Sequence, residues 1–131
     1  MAKNTKRKRI VKKLDTVVSK YIRLRDKKCV QCKKEEKLTN GHVFSRRAYN
    51  TRWDISDDGN CHTQCWGCNF SHGKDNYDYY KWYVSKFGQD RFDGLRLEFK
   101  KSVKSTTVDL EELYEKIKSI YEGKLNENKV N

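Results

Sequence analysis

The sequence predicts an α+β domain: a small hairpin–helix core stapled by a four-cysteine zinc site, flanked by an N-terminal helix and C-terminal helices. Three observations predict it. Two Cys-x2-Cys pairs, Cys29/Cys32 and Cys65/Cys68, stand 32 residues apart. Short strand-like segments with polar turn residues lie between them. Apolar residues recur at three- and four-residue spacing on both sides. The 131 residues allow one compact domain, and with 37% charged against 35% apolar residues its core is thin, a situation that calls for a staple.

Residues 1–9 lack apolar periodicity and read as a basic disordered arm. Ile10, Leu14, Val17, Val18, Tyr21, Ile22 and Arg25 share one face of a helix from Ile10 to about Asp26, with Lys12, Lys13, Lys20 and Arg23 off it. Residues 29–40 read as a cysteine turn and loop. Gly41–Phe44 and Asn60–Gln64 read as short strands joined by a loop holding Asp57, Asp58 and Gly59. From Gly67 the pattern turns helical. Tyr79, Tyr80, Tyr83 and Phe87 share a face, and Gly88 suits a C-cap. Phe92, Leu95, Leu97, Phe99 and Val103 suggest another helix. A last helix begins near Thr107 or Asp109, with capping-box spacing between Asp109 and Glu112, and runs through Leu110, Leu113, Ile117, Ile120 and Tyr121. The single domain thus covers 10–125, and 126–131 reads as a frayed tail.

Charge is one-sided. Residues 1–52 hold 18 Lys/Arg against 4 Asp/Glu, and residues 53–131 hold 12 against 14. The chain's net charge of +12 therefore comes from its first part. Such a field attracts polyanions, nucleic acid foremost; a solvated helix face is the alternative. No run of fifteen apolar residues occurs, so no membrane span is expected. The basic start is not followed by an apolar signal-peptide stretch, so a cytoplasmic protein is expected.

In such a chain, paired Cys-x2-Cys knuckles read as a tetrahedral structural zinc, one per chain, on Cys29, Cys32, Cys65 and Cys68. The rival readings are two disulfides or free buried thiols. Cys61 reads as a small buried residue facing away from the site.

Between the knuckles, Gly41-His42-Val43 follows Cys32 by nine residues, Asn60 stands five before Cys65, and Asn69 follows Cys68 directly. This order resembles the zinc-stapled HNH nucleases of the ββα-metal (His-Me finger) group. A closer resemblance, carried by Leu14–Asp26, Gly41–Arg47, Thr51–Asp54, His62–Cys65 and Cys68-Asn69, is to the phage NinG/Rap recombination proteins. That likeness implies a metal-dependent DNA endonuclease acting on branched recombination intermediates, of the Holliday-junction or D-loop type, in the host cytoplasm.

The implied roles follow the HNH pattern. His42 is the general base and Asn60 braces the hairpin. Asn69 is a ligand of a catalytic Mg²⁺ or Mn²⁺. Relatives often carry an Asp just before the His; Gly41 stands there, so His62 or Asp54 is a candidate replacement ligand. For His62 and His72, the alternative is a surface or DNA-contacting histidine. Arg46, Arg47, Arg52 and Lys74 would grip phosphates. A symmetric junction would suit a homodimer, with Trp82, Tyr83, Phe87, Phe92 and Phe99 offering either a dimer surface or core. Two other functions fit the same residues: a general or site-specific HNH nuclease, and a non-catalytic zinc module that binds nucleic acid.

Overall fold

The apolar stripe of Ile10, Leu14, Val17, Val18 and Ile22 is buried along one side of α1 (Ala2–Asp26) in the computed structural model, which describes residues 2–101 and 103–130. The helix begins at Ala2, not Ile10: α6 (Thr107–Val130) lies against it, and its basic end finds partners on α6, on the segment before α6 and at Tyr49. Arg7 donates to the Ser105 carbonyl at 2.9 Å and lies 5.5 Å over the Tyr49 ring, while Lys6 pairs with Glu111 at 3.3 Å. Leu110 and Ile117 of α6 join the α1 stripe, Trp53 and Cys61 in one core cluster. Helix α6 continues past Gly123 to Val130, so the expected tail is helical there. Met1 and Asn131, the outer ends of the expected arm and tail, lie outside the described residues.

The capping box of α6 sits three residues upstream of the expected pair. Thr106 Oγ1 accepts from Asp109 N at 3.0 Å, and Asp109 Oδ2 accepts from Thr106 N at 2.9 Å, so two amides that would otherwise lack partners are satisfied reciprocally.

Strands β1 (Leu38–His42) and β2 (Cys61–Cys65) form a two-stranded antiparallel sheet with Gly41 opposite His62 and His42 opposite Cys61. Strand β1 starts before the expected Gly41 and stops at His42. Val43 and Phe44 leave the sheet, Val43 N donating to the Asn60 carbonyl at 2.8 Å. Side chains alternate across the pleat, so Asn40, His42, Cys61 and Thr63 face one way and Gly41, His62 and Gln64 the other. The first face meets α1: Thr63 Oγ1 donates to the Ile22 carbonyl at 3.0 Å and Thr63 N to Asp26 Oδ2 at 2.8 Å. The second meets α4 (Tyr77–Phe87): Tyr79 OH donates to the Gly41 carbonyl at 2.8 Å. The hairpin is thus the middle layer of three. This explains why every residue of the polar strand Cys61–Cys65 is buried.

Between the strands runs a short helix that periodicity does not predict, α2 (Tyr49–Arg52). Helix α3 (Trp66–Lys74) follows β2 with no intervening loop. Helices α4 and α5 (Gln89–Lys100) meet at Gly88, whose φ of +96° suits glycine. Their apolar faces enclose a second core of Val43, Phe44, Tyr79, Tyr83, Phe92 and Leu95, with Trp82, Phe87 and Phe99 packed on it. The late rings are therefore core. Leu97 and Val103, expected on the buried face, are exposed, and α5 ends at Lys100.

Candidate metal centre and adjoining cleft

All five cysteines are free thiols. The sulfurs of Cys29, Cys32, Cys65 and Cys68 lie within 4.8 Å of one another, and Cys32 Sγ and Cys65 Sγ are 3.5 Å apart. A tetrahedron with Zn–S bonds of about 2.3 Å has sulfur–sulfur edges of about 3.8 Å, so the cluster fits such an ion. Local backbone builds both knuckles. In the first, Cys32 N donates to Cys29 Sγ at 3.4 Å and Lys33, at φ +69°, turns the chain back. In the second, Cys65 is the N-cap of α3, its Sγ accepting from Cys68 N at 3.4 Å. Burial raises the Cys29 thiol's pKa, but N–H donors from Cys32, Cys65 and Gln31 outweigh it and bring the value down to about 7. Burial and the neighbouring sulfurs push Cys68 up. Four thiols so close cannot all ionise without a cation among them, and they can hold a structural metal such as zinc. Cys61 stands apart, buried against α1 with Sγ 3.2 Å from the Arg52 carbonyl; burial raises its thiol to about 12.

Because Asn69 follows Cys68, the clamp also fixes the first turn of α3 beside β1. A cleft of about 690 Å³ opens there, lined by residues that include Asp15, Asn40, His42, Arg46, Asn69 and His72. His42 and Asn69, far apart in sequence, share it. His42 Nε2 donates to the Arg52 carbonyl at 3.0 Å, so the neutral ring has its lone pair at Nδ1. Burial drives the pKa of this imidazole down to about 4, and the ring is neutral at physiological pH. Thr39 Oγ1 donates to the Gln64 carbonyl at 2.8 Å and therefore accepts from Asn69 Nδ2 at 2.9 Å. The amide is thereby oriented, leaving Asn69 Oδ1 as its open end.

Sequence reasoning assigned no ligand role to His72 and passed over Asn40. His72 Nε2 is shared between the carbonyls of His42 at 2.9 Å and Val43 at 3.1 Å. Its Nδ1 and the Oδ1 of Asn40 are buried with no hydrogen-bond partner among the described residues. Both residues line the cleft, and a buried lone pair without a protein partner suits an ordered water or an ion. The detectable signals were helical spacing from Asn69 to His72 and strand spacing from Asn40 to His42.

Asn60 lies behind the cleft. It is fully buried, accepting from Phe44 N at 2.8 Å and donating to the Phe44 carbonyl at 2.9 Å, which anchors the segment leaving His42. His62 is not brought to the cleft. It lies on the α4 face of the hairpin, with Nε2 donating to the Gly59 carbonyl at 2.7 Å and its ring against Trp82 and Phe87. Asp54 is occupied too, its Oδ1 accepting from Ser56 N and Oγ.

Of the predicted phosphate-gripping residues, Arg52 is spent inside the fold. Its Nε and Nη2 fork onto Asp15 at 3.0 and 2.6 Å, and its side chain is 16% exposed. Burial raises the Asp15 pKa, but bonds from Arg52 and Trp53 outweigh it and hold the carboxyl below its ordinary range. Arg46 lines the cleft with its side chain 62% exposed. Arg47 and Lys74 are exposed, over the rings of Phe99 and Phe70. Asp15 also lines a neighbouring groove with Arg7, Lys8 and Lys12, so the basic side of α1 continues to the cleft. Charge asymmetry pointed at this stretch, but reading residues 1–9 as disordered hid Lys8.

Gly41 has a packing reason. An ideal Cβ there would stand 2.0 Å from Oε1 and 2.6 Å from Cδ of Gln64, a fully buried side chain that donates to Gln31. A carboxylate before His42 has no room. Gly41→Asp is therefore expected to lower stability by about 1–3 kcal/mol, as overpacking does, without tightening divalent-ion binding. Urea unfolding and Mn²⁺ titration check this; wild-type stability with tighter Mn²⁺ binding would overturn it.

No helix among the described residues is long and apolar enough to cross a membrane. Comparisons with curated proteins and with solved structures give no match. A family model described as bacteriophage lambda NinG protein matches residues 1–130, which spans the cysteine cluster, the cleft and both long flanking helices. The chain therefore belongs to the family of the bacteriophage lambda NinG protein.

Proposed function

We propose that this chain is a divalent-metal-dependent DNA endonuclease of the HNH, His-Me finger type, hydrolysing phosphodiester bonds in branched recombination intermediates. The observation that carries the reading is the meeting of His42 and Asn69 in one cleft beside the four-cysteine clamp. The zinc would be structural, since four thiolates leave it no open position.

The neutral His42 ring takes a proton from the attacking water at Nδ1. The water oxygen bonds to phosphorus, the P–O3′ bond breaks, and the leaving 3′ oxygen acquires a proton from solvent. Asn69 Oδ1 would be the first ligand for the divalent ion, and Asn40 and His72, which line the same cleft, would have to turn their buried free atoms toward it to make up for the missing carboxylate. When bound, Mg²⁺ or Mn²⁺ supplies neutralisation of charge on the phosphate and the leaving oxygen. A ligand set with no anion binds weakly, and its imidazole suits Mn²⁺ better than Mg²⁺. Arg46, Lys8 and Lys12 hold the flanking phosphates, which positions DNA without reading its sequence.

The test is nicking of four-way junction, flap and plain duplex DNA with Mg²⁺ or Mn²⁺. Junction cleavage above duplex is expected, stronger with Mn²⁺. Equal cleavage of all three would favour a general HNH nuclease. Gly41 supports a second reading, a zinc module that binds nucleic acid without cutting it; DNA binding with no cleavage under either ion would establish that one.

A further inference from the structure

The outer face of α3 carries a feature that neither core uses. Trp66 and Phe70 are 62% and 51% exposed, and their rings stack with centroids 5.2 Å apart and planes 11° apart. Lys74 continues the stripe, its Nζ 4.8 Å from the Phe70 centroid. The spacing of four residues puts all three on one side of the helix. Gly67 and Gly73 lie beside the stripe, and a Cβ at either would meet nothing within 4 Å. Packing therefore does not require these glycines, although glycine is a poorer helix former than alanine. What they leave is a helix surface that a flat group can approach closely. Helix α3 contains no acidic residue, and its neighbouring side supplies Asn69 and His72 to the cleft.

We infer that Trp66 and Phe70 form a stacking platform for unpaired nucleotide bases, with Lys74 on the adjoining phosphate. The inference rests on the reading that the cleft holds DNA, and it supplies a reason for preferring branched DNA. Bases displaced at a branch point expose their π-faces, whereas bases in an intact duplex do not. A ring laid on an already parallel aromatic pair extends the stack regardless of sequence. The cation over Phe70 complements the backbone charge that accompanies each base.

Tryptophan fluorescence tests this directly, in buffer without added divalent ion so that cutting plays no part. Of the three tryptophans, Trp53 is 4% exposed and Trp82 is half-buried, leaving Trp66 as the open one. Titration with oligothymidylate, or with a duplex containing a thymidine bubble, is expected to quench emission; an intact duplex is not. Trp66→Phe should keep the binding and lose the quenching. Phe70→Ala and the Trp66→Ala/Phe70→Ala double variant should weaken bubble binding by about 5- to 150-fold, which is about 1–3 kcal/mol for a stacked base. Duplex affinity and zinc content should stay unchanged. Equal loss on bubble and duplex, or binding without quenching, overturns the platform while leaving the nuclease reading intact. Quenching with bubble preference but no cleavage sustains the platform and sinks the nuclease. Failure to bind any DNA sinks both. A blue shift with protein concentration alone would assign the stripe to a second copy of the chain and overturn the platform.

Discussion

Replacing His42 by alanine is expected to reduce junction nicking by about 10²- to 10⁴-fold, the usual contribution of a general base, with zinc content and thermal unfolding little changed. Glutamine is the sharper replacement. His42→Gln places an amide near the Nε2 position and can still donate to the Arg52 carbonyl, the bond that seats the ring, but offers no basic nitrogen. Added imidazole should partly restore the alanine variant and not wild type, a response that loss of structure would not give. The pH profile gives a second readout. Burial disfavours the imidazolium form, so the ring's pKa falls to about 4 and the basic form persists throughout the neutral range. The nicking rate should then show no acid limb between about pH 5 and 7, where an unperturbed imidazole titrates. Undiminished activity in either variant would remove His42 from the chemistry, whereas a limb centred near the ordinary histidine value and absent from the variants would keep the base and overturn only its lowered pKa.

Zinc removal has the larger structural effect. A strong chelator, or Cys65→Ser, should release about one zinc per chain and unfold the hairpin and α3. Structural zinc contributes about 10 kcal/mol or more in small folds, comparable to the whole stability of an ordinary domain. Cys65 joins three parts of the fold: it ends β2, caps α3 through Sγ, and lies 3.5 Å from Cys32 Sγ. One substitution therefore loosens strand, helix and clamp together. Cys61→Ala is the control, since that thiol packs against α1 outside the cluster and should cost packing without costing zinc. Circular dichroism with metal analysis separates the cases; a well-folded, metal-free protein would contradict the assignment of the clamp.

Features that depend on residues near each other in sequence were legible without a structure. The two cysteine knuckles are local turns, so spacing alone identifies them, and the meeting of all four sulfurs agrees with it. The stripe from Ile10 to Ile22 is a helical repeat and is buried as one. Strand limits were less legible because β1 and β2 are polar. Thr63 and Gln64 are buried through hydrogen bonds to other elements, and no apolar alternation marks them.

The four-cysteine clamp, the helical faces, the basic first half, and the imidazole and amide that stand next to the clamp could all be read from residue order alone. Tertiary structure alone decided which polar groups remain free to act. Antiparallel register places His42 on the α1 side of the hairpin and His62 on the α4 side, so one histidine lines the cleft and the other joins the core. Asp15 on α1 captures Arg52 and withdraws it from the phosphate contacts expected of it, while Gln64 fills the space a carboxylate at position 41 would need. The physical reason is the same in each case: a side chain's availability depends on which element packs over it, and those contacts join residues tens of positions apart that no local pattern links.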